Sequence, residues 1–388
     1  MSASPAIASS LRTARAGVYA AYAAQGLGYA TVVTALPQLK ARYAISDDTV
    51  SLITLTVVIG AAAGSMLADR VAVRLGSRMA VVLGLALQAV ALLAVAAPVP
   101  LPVFWALFAV YGLGLGCVDA SAAMQGVIVQ RRAGVAVMAS FFAANTAASI
   151  VGALVMSAGA TTSAGAGMGL ATAGVVACAI ALLGTRLLDP ARERAAVADE
   201  ARAALPWRGL VVVGMVVFAA FTADSTVATW SAVHLTDGVG ASAAVAPLGY
   251  AVYAGFTLLT RLTSDLVVRR YGRARLAVVT VAVAAAGLVV AGLVRTEWGA
   301  LTGFALAGLG VGSLVPLAYA AAGDLDPRRS DEIVARVNLF TYPGSLIGAV
   351  LPGLIATGSG MGASFLLAAV LLLPALGAVG RFRAAARS

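Results

Sequence analysis

The sequence predicts an all-α membrane protein: twelve transmembrane helices in two pseudo-symmetric six-helix halves. Three observations lead there. Of 388 residues, 61% are hydrophobic and 11% charged, against about 25% charged in soluble domains. Mean hydropathy is +0.97, and nearly every window of about 20 residues outside a few short loops is apolar enough to cross a bilayer as a helix. Lastly, the chain repeats at an offset of 196 residues, where Asp69 meets Asp265, Arg74 meets Arg270 and Gly76 meets Gly272. Continuous apolar runs select helices over a barrel, whose strands alternate.

The elements follow in order, with boundaries good to about 2–4 residues. Arg12 and Arg15 precede the first run, 15–37. That run is too long for a signal peptide's core and lacks a convincing cleavage site, so it reads as the first span. The second, 49–69, closes on Asp69 beside Arg70. The third, 78–97, runs from Arg78 to an uncharged loop, and the fourth, 102–129, ends on Arg131 and Arg132. Helices five and six, 135–158 and 165–187, flank the uncharged segment 161–167. Leu188–Trp207 is the only long charged stretch, and reads either as an interfacial amphipathic helix or as a solvated tether. Beyond it lie 208–235, 243–264, 275–295, 299–322, 333–357 and 360–383. The expected domains are therefore 1–187, a linker 188–207, and 208–388.

The net charge of +10 does not point to nucleic acid, because the charges sit at the ends of apolar runs, where they suit lipid headgroups. Arginines crowd one side: Arg12, Arg15, Arg70, Arg74, Arg78, Arg131, Arg132, the linker, Arg269, Arg270, Arg273, Arg275, Arg328, Arg329, Arg336 and the tail. Only Lys40, Arg42 and Arg295 fall on the other. The positive-inside rule then makes both termini and the linker cytoplasmic, in a multi-pass protein of the cytoplasmic membrane. Cys117 and Cys178 lie within apolar runs and read as packing residues.

The repeat extends beyond the charged stretches. Gly112, Gly114 and Gly116 meet Gly308, Gly310 and Gly312; Phe108 meets Phe304, and Gly152 meets Gly348. Matched Asp, Arg and Phe positions argue against shared low complexity. Parallel six-helix repeats are a transporter architecture, with the substrate at their interface near the bilayer midplane. In Gly64–Arg78, Gly64 lets its helix approach a neighbour, Asp69 ends the helix beside arginines, and Gly76 permits the turn. Asp69, Arg70, Arg74, Gly76 and Arg78, with Asp265, Arg270 and Gly272 in the second copy, are gate candidates; the plain alternative is a positive-inside loop. Arg70 faces Leu266 in the weaker copy, so the first is expected to hold the stronger charge network.

This pattern, Gly64-x-x-x-Ala68-Asp69-Arg70…Arg74-x-Gly76-x-Arg78, resembles the loop 2–3 signature of the major facilitator superfamily. Across nearly the whole chain the sequence is similar to the fucose-permease-like, YbjJ-type branch. The likeness rests on the glycine-rich helix at 111–132, Met138–Phe141, Asp224 with Trp230–Val233, and 308–323. It implies secondary transport by rocker-switch alternating access, with helices 3, 6, 9 and 12 peripheral. The pocket is greasier than that branch's pattern: Ala35, Ala123, Phe142 and Gln130 replace a basic residue, Asn, His and an acid. The resemblance therefore supports transport without sugar specificity.

Acids inside spans are functional candidates by default, and two lie well inside: Asp119 and Asp224. Asp224, among Thr222, Ser225 and Thr226, suits a reversible proton site or a contact for a cationic substrate. Asp119 either reaches the cavity or accepts from Arg70 or Arg74, the gate pairing being the expected state. Substrate-binding candidates are Gln25, Gln125, Asn145, Tyr250, Tyr253, Asn338 and Tyr342, with Trp230 and Phe141 or Phe142 as apolar walls. Gln88 reads as packing, His234 as an exposed helix end, and Trp105 and Trp298 as interface anchors. No nucleotide fingerprint, metal cluster or triad spacing is present, so no enzyme activity, cofactor or metal is expected. The partners expected are a small-molecule substrate, H+ and the bilayer, for a monomer that binds no nucleic acid. The function expected is a proton-coupled secondary transporter of a small organic solute. Efflux of amphiphilic drugs or metabolites is the alternative within transport, and a transport-inactive sensor or scaffold is the alternative in another class.

Overall fold

A computed structural model describes residues 5–134, 137–162, 165–190, 206–326 and 330–382. All regular structure among them is helical: α1 (Pro5–Tyr43), α2 (Asp47–Leu75), α3 (Ser77–Ala96), α4 (Leu101–Ala133), α5 (Met138–Gly159) and α6 (Ala166–Leu187), then α7 (Trp207–Val233). A π-helical turn, His234–Gly238, ends α7. Then come α8 (Ala246–Tyr271), α9 (Arg273–Leu293), α10 (Glu297–Gly323), α11 (Ser330–Asn338), α12 (Thr341–Ser359), α13 (Met361–Leu372) and 3-10 turns over Leu373–Phe382. Most of the linker, with Arg328, Arg329 and the tail beyond 382, lies outside the described residues.

Among those residues ten helical stretches are long and apolar enough to cross a membrane. The two long helices outside that set are α1 and α8. They carry Tyr19, Tyr22 and Gln25, and Tyr250, Tyr253 and Arg261, polar side chains that lower their mean hydropathy. At 39 residues α1 is about 58 Å long, well past a hydrocarbon core of about 30 Å.

Several expected boundaries move, each for a local reason. The Asp69 motif is not a loop: α2 continues to Leu75, because nothing between Asp69 and Leu75 breaks a helix. Gly76 alone makes the turn, at φ 93°. The second copy does the same, with α8 running to Tyr271 and Gly272 at φ 81°. Left-handed backbone of this kind favours glycine. The single helix expected over 333–357 is two, broken at Leu339–Phe340. Pro343 follows that break and has no N–H to return to the Leu339 carbonyl, and Thr341 Oγ1 donates to the Asn338 carbonyl at 2.8 Å. Pro374 likewise turns the last span from α to 3-10 geometry.

Contacts divide the chain into two compact units, residues 1–43 with 52–198 and residues 44–51 with 199–388. In the first, α1 packs on α4, α5 and α6, and α3 on α4 and α6. In the second, α7 packs on α10, α12 and α13, and α9 on α10 and α13. The packing plan is one plan used twice.

It repeats down to single atoms. A Cβ at Gly112 would strike the Val57 carbonyl oxygen, and one at Gly308 the Tyr253 oxygen. Gly116 faces the Ala61 oxygen and Gly312 the Thr257 oxygen; Gly114 faces that of Gly84 and Gly310 that of Thr280. Every pair stands at the same offset of 196. The repeat is thus a repeat of backbone contacts, which side-chain composition alone would not produce.

Because the space at Gly116 is the tighter of the two, Gly116→Val is expected to destabilise the protein by about 3 kcal/mol, and Gly312→Val by less. Thermal scans of the purified protein measure both, and a silent Gly116→Val would remove the role given to this contact.

Candidate functional site

In the first unit, Tyr19, Tyr22 and Gln25 stand three residues apart and share one face of α1. Gln25 is buried and fully committed. Its Nε2 donates to Asp119 Oδ1 at 2.7 Å and to the Leu115 carbonyl at 3.1 Å, while its Oε1 accepts from Gln88 Nε2 at 2.7 Å. A carbonyl can only accept, so the Leu115 contact fixes which amide atom faces Asp119. Asp119 itself is exposed on its unit. It pairs with Gln25, not with Arg70 or Arg74, so the expected gate pairing is corrected: the partner comes from α1, where α4 packs.

Around this row sit aromatic rings. Tyr22 stacks on Phe141 with centroids 5.8 Å apart and meets Phe142 edge-on at 5.4 Å. Phe141 is buried, whereas Phe142 is 50% exposed. Asn145 donates to the Tyr22 carbonyl at 3.1 Å, and Ser149 to that of Gly26 at 3.0 Å, so both hold α5 against α1.

In the second unit, Tyr253 donates its hydroxyl to Asp224 Oδ1 at 2.6 Å. Asp224 is half-buried, and Arg261 of α8 lies within electrostatic reach of it. Tyr250 is buried, its ring centroid 6.4 Å from that of Tyr253. Tyr319 donates to Asn338 Oδ1 at 2.6 Å, beside the α11–α12 break, and Tyr342 is exposed.

Other candidates are committed elsewhere. Trp230 is fully buried and donates to the Ala349 carbonyl at 2.9 Å, so it joins α7 to α12 and is not an apolar wall. Gln125 is buried at the arginine-rich end. Its Nε2 donates to Ser77 Oγ at 2.8 Å and to the Asp189 carbonyl at 3.0 Å, while its Oε1 accepts from the Asp189 N–H at 2.9 Å. Both ends of that amide hold the start of the linker, which leaves none for a substrate. His234 is also corrected. It is buried against Phe304 and Phe365, with Nε2 at 2.9 Å from the Ala291 carbonyl. The π-helical turn that starts there carries it inward.

The charge networks differ from expectation too. Asp69, Arg70 and Arg74 are exposed and form no ion pair among the described residues; Ser65, Met66, Asp69 and Arg70 line an open recess of about 350 Å³. Arg78 donates to the Thr185 carbonyl at 3.0 Å, capping the end of α6, where a cation is favoured. Ion pairs form instead between Arg132 and Asp189 in one unit and, at 2.5 Å, between Arg273 and Asp324 in the other. The side chain of Asp265 lies outside those described, and Arg270 stands over the Tyr271 ring at 5.5 Å. Within the first copy, Arg70 and Arg74 project from the helix surface while Arg78 reaches α6.

Sequence reasoning missed Tyr22 and set Gln88 aside as packing. The three-residue spacing of Tyr19, Tyr22 and Gln25 was the available signal for the first. For Gln88 it was the cost of burying an amide in an apolar helix.

The Arg132–Asp189 pair is asymmetric, with side chains 49% and 2% exposed. Removing Arg132 strips a buried carboxylate of its ion pair, while removing Asp189 returns a half-exposed guanidinium to water. Arg132→Ala is therefore expected to cost about 3 kcal/mol and Asp189→Ala about 1 kcal/mol, compared by thermal denaturation. The reverse order would refute this account.

Comparison with known proteins agrees with this architecture. The family model of the Major Facilitator Superfamily matches residues 18–217 and 212–387. An uncharacterised MFS-type transporter of Yersinia pestis is 30% identical over 351 residues, covering 90% of each chain. Membrane protein MosC of Rhizobium meliloti is 29% identical over 157 residues, 40% of this chain and 39% of that protein. Among solved structures, a single-residue variant of the nucleoside transporter NupG superposes with TM-score 0.75 at 11% identity, covering 96% of this chain and all of that one. A bacterial homologue of the human lysosomal transporter Spinster gives 0.69 at 12%, covering 94% and 95%. These two show the shared fold. With both halves matched in order, the chain belongs to the major facilitator superfamily and is a membrane transporter, not an enzyme.

Proposed function

We propose that this transporter moves a small organic solute by proton-coupled alternating access, with Asp224 as the coupling group. The observation that carries the reading is the Tyr253–Asp224 hydrogen bond, 2.6 Å long, on a half-buried acid inside a span. A phenol that donates to the carboxylate can shift to accept from the protonated acid, so both states keep a partner. Arg261 within reach gives the charged state a counter-charge. The membrane is the cytoplasmic one, the arginine-rich ends of α2, α4 and α8 face the cytoplasm, and the protein works as a monomer.

In this reading the substrate is held by polar groups that retain access: Asp119, Asn145, Asn338 and Tyr342. Asp69, Arg70 and Arg74, exposed on their helix surface, and Arg270, held among the described residues only by the Tyr271 ring, are the charges available to make and break contacts during the cycle. Gly76 and Gly272 keep the turns beside them.

The test is transport in proteoliposomes under an imposed pH gradient, with a panel of solutes. Wild-type protein is expected to accumulate solute against its gradient. Asp224→Asn is expected to lose at least tenfold of that accumulation, about 1.4 kcal/mol, yet keep solute exchange at zero gradient. Full gradient-driven accumulation by Asp224→Asn would overturn the assignment.

A further inference from the structure

We infer that Asp119 is the anchor for a cationic head group, and that the transported solute carries a protonated amine next to an apolar or aromatic body. This rests on the transport reading above and adds a substrate class to it.

Asp119 is a half-committed carboxylate. Oδ1 accepts from Gln25, no described residue bonds to Oδ2, and the side chain is exposed on its own unit. What faces it is a donor that cannot turn round. Gln25 uses one Nε2 hydrogen on the Leu115 carbonyl and the other on Asp119, and its oxygen is occupied by Gln88. A donor fixed in this way suits a carboxylate, leaving Oδ2 to accept from a ligand.

No described basic residue of the first unit bonds that oxygen. Arg15, the nearest basic residue along α1, is engaged with Tyr19. Its Cα is about 15 Å from that of Gln25 along the helix. Beside the acid are rings: the Tyr22 hydroxyl lies within electrostatic reach of Asp119, and half-exposed Phe142 packs edge-on against Tyr22. A carboxylate next to aromatic faces recognises an ammonium by charge and holds the attached carbon body by its rings. A neutral polyol would leave the carboxylate uncompensated, and an anion would be repelled. Gln25 and Gln88 are positioning residues in this scheme.

The test uses purified full-length protein and calorimetric binding. The probes are small primary amines with aromatic or cyclic bodies, each matched to its hydroxyl isostere and to a carboxylate of equal length. Amines are expected to bind at least tenfold tighter than their isosteres. Asp119→Asn should remove that preference and Asp119→Glu should keep most of it, in preparations whose elution profile matches wild type. Gln88→Ala should lower the amine-to-alcohol affinity ratio severalfold, which a purely structural defect would not do. A preference for alcohols or carboxylates, no binding by any amine, or an amine preference that survives Asp119→Asn would overturn the inference. Transport by the wild type separates the two failures. Movement of neutral or anionic solutes alone leaves the transport reading standing, and movement of none overturns both.

Discussion

Backbone touching backbone is the contact on which this fold depends. In a bilayer, burying leucine against leucine gains little over leucine against lipid, so helices associate through close van der Waals approach. Here α4 and α10 supply it by presenting glycines to the carbonyl oxygens of α2 and α3, and of α8 and α9. Helix separation is set by these positions, and every side-chain contact between those helices inherits it. Asp119 stands one turn beyond Gly116 on α4. Its reach to Gln25 therefore depends on an α4 that its glycines have already placed.

Polar side chains then divide by what the helices leave them. Trp230, Gln125, His234 and Ser149 each find a backbone carbonyl or N–H on another segment, and become struts. Asp119 and Asp224 find side-chain donors and keep part of their surface. The same pressure to satisfy buried polar groups yields both outcomes. What separates them is whether the partner is a fixed backbone group or a side chain that can exchange it.

The fold was legible because its determinants are one-dimensional: run length, charge placement and a constant offset between copies. The site was legible only in part. Periodicity assigns Gln125 and Gln25 alike to polar positions of central helices. It does not say that Gln125 meets the incoming backbone at Asp189 while Gln25 meets a carboxylate. A helix apolar all round has no polar stripe to reveal its rotation, so nothing showed that His234 turns inward or that Trp230 is spent on the Ala349 carbonyl. Likewise a cluster of arginines in sequence did not foretell that Arg78 caps α6 while Arg70 and Arg74 stay exposed.

Symmetry of packing does not extend to the interruption after Asn338. Its counterpart in the first unit, α5, is continuous, because Ala147 stands where Pro343 does. One copy of this helix is a stiff rod, and the other is two rods with a joint where Pro343 offers no backbone donor. Compliance is therefore unequal between the copies. Bending energy in the second unit is concentrated at Leu339–Phe340, whereas in α5 it is spread over the whole length. Built on one packing plan, the two halves are mechanically different instruments.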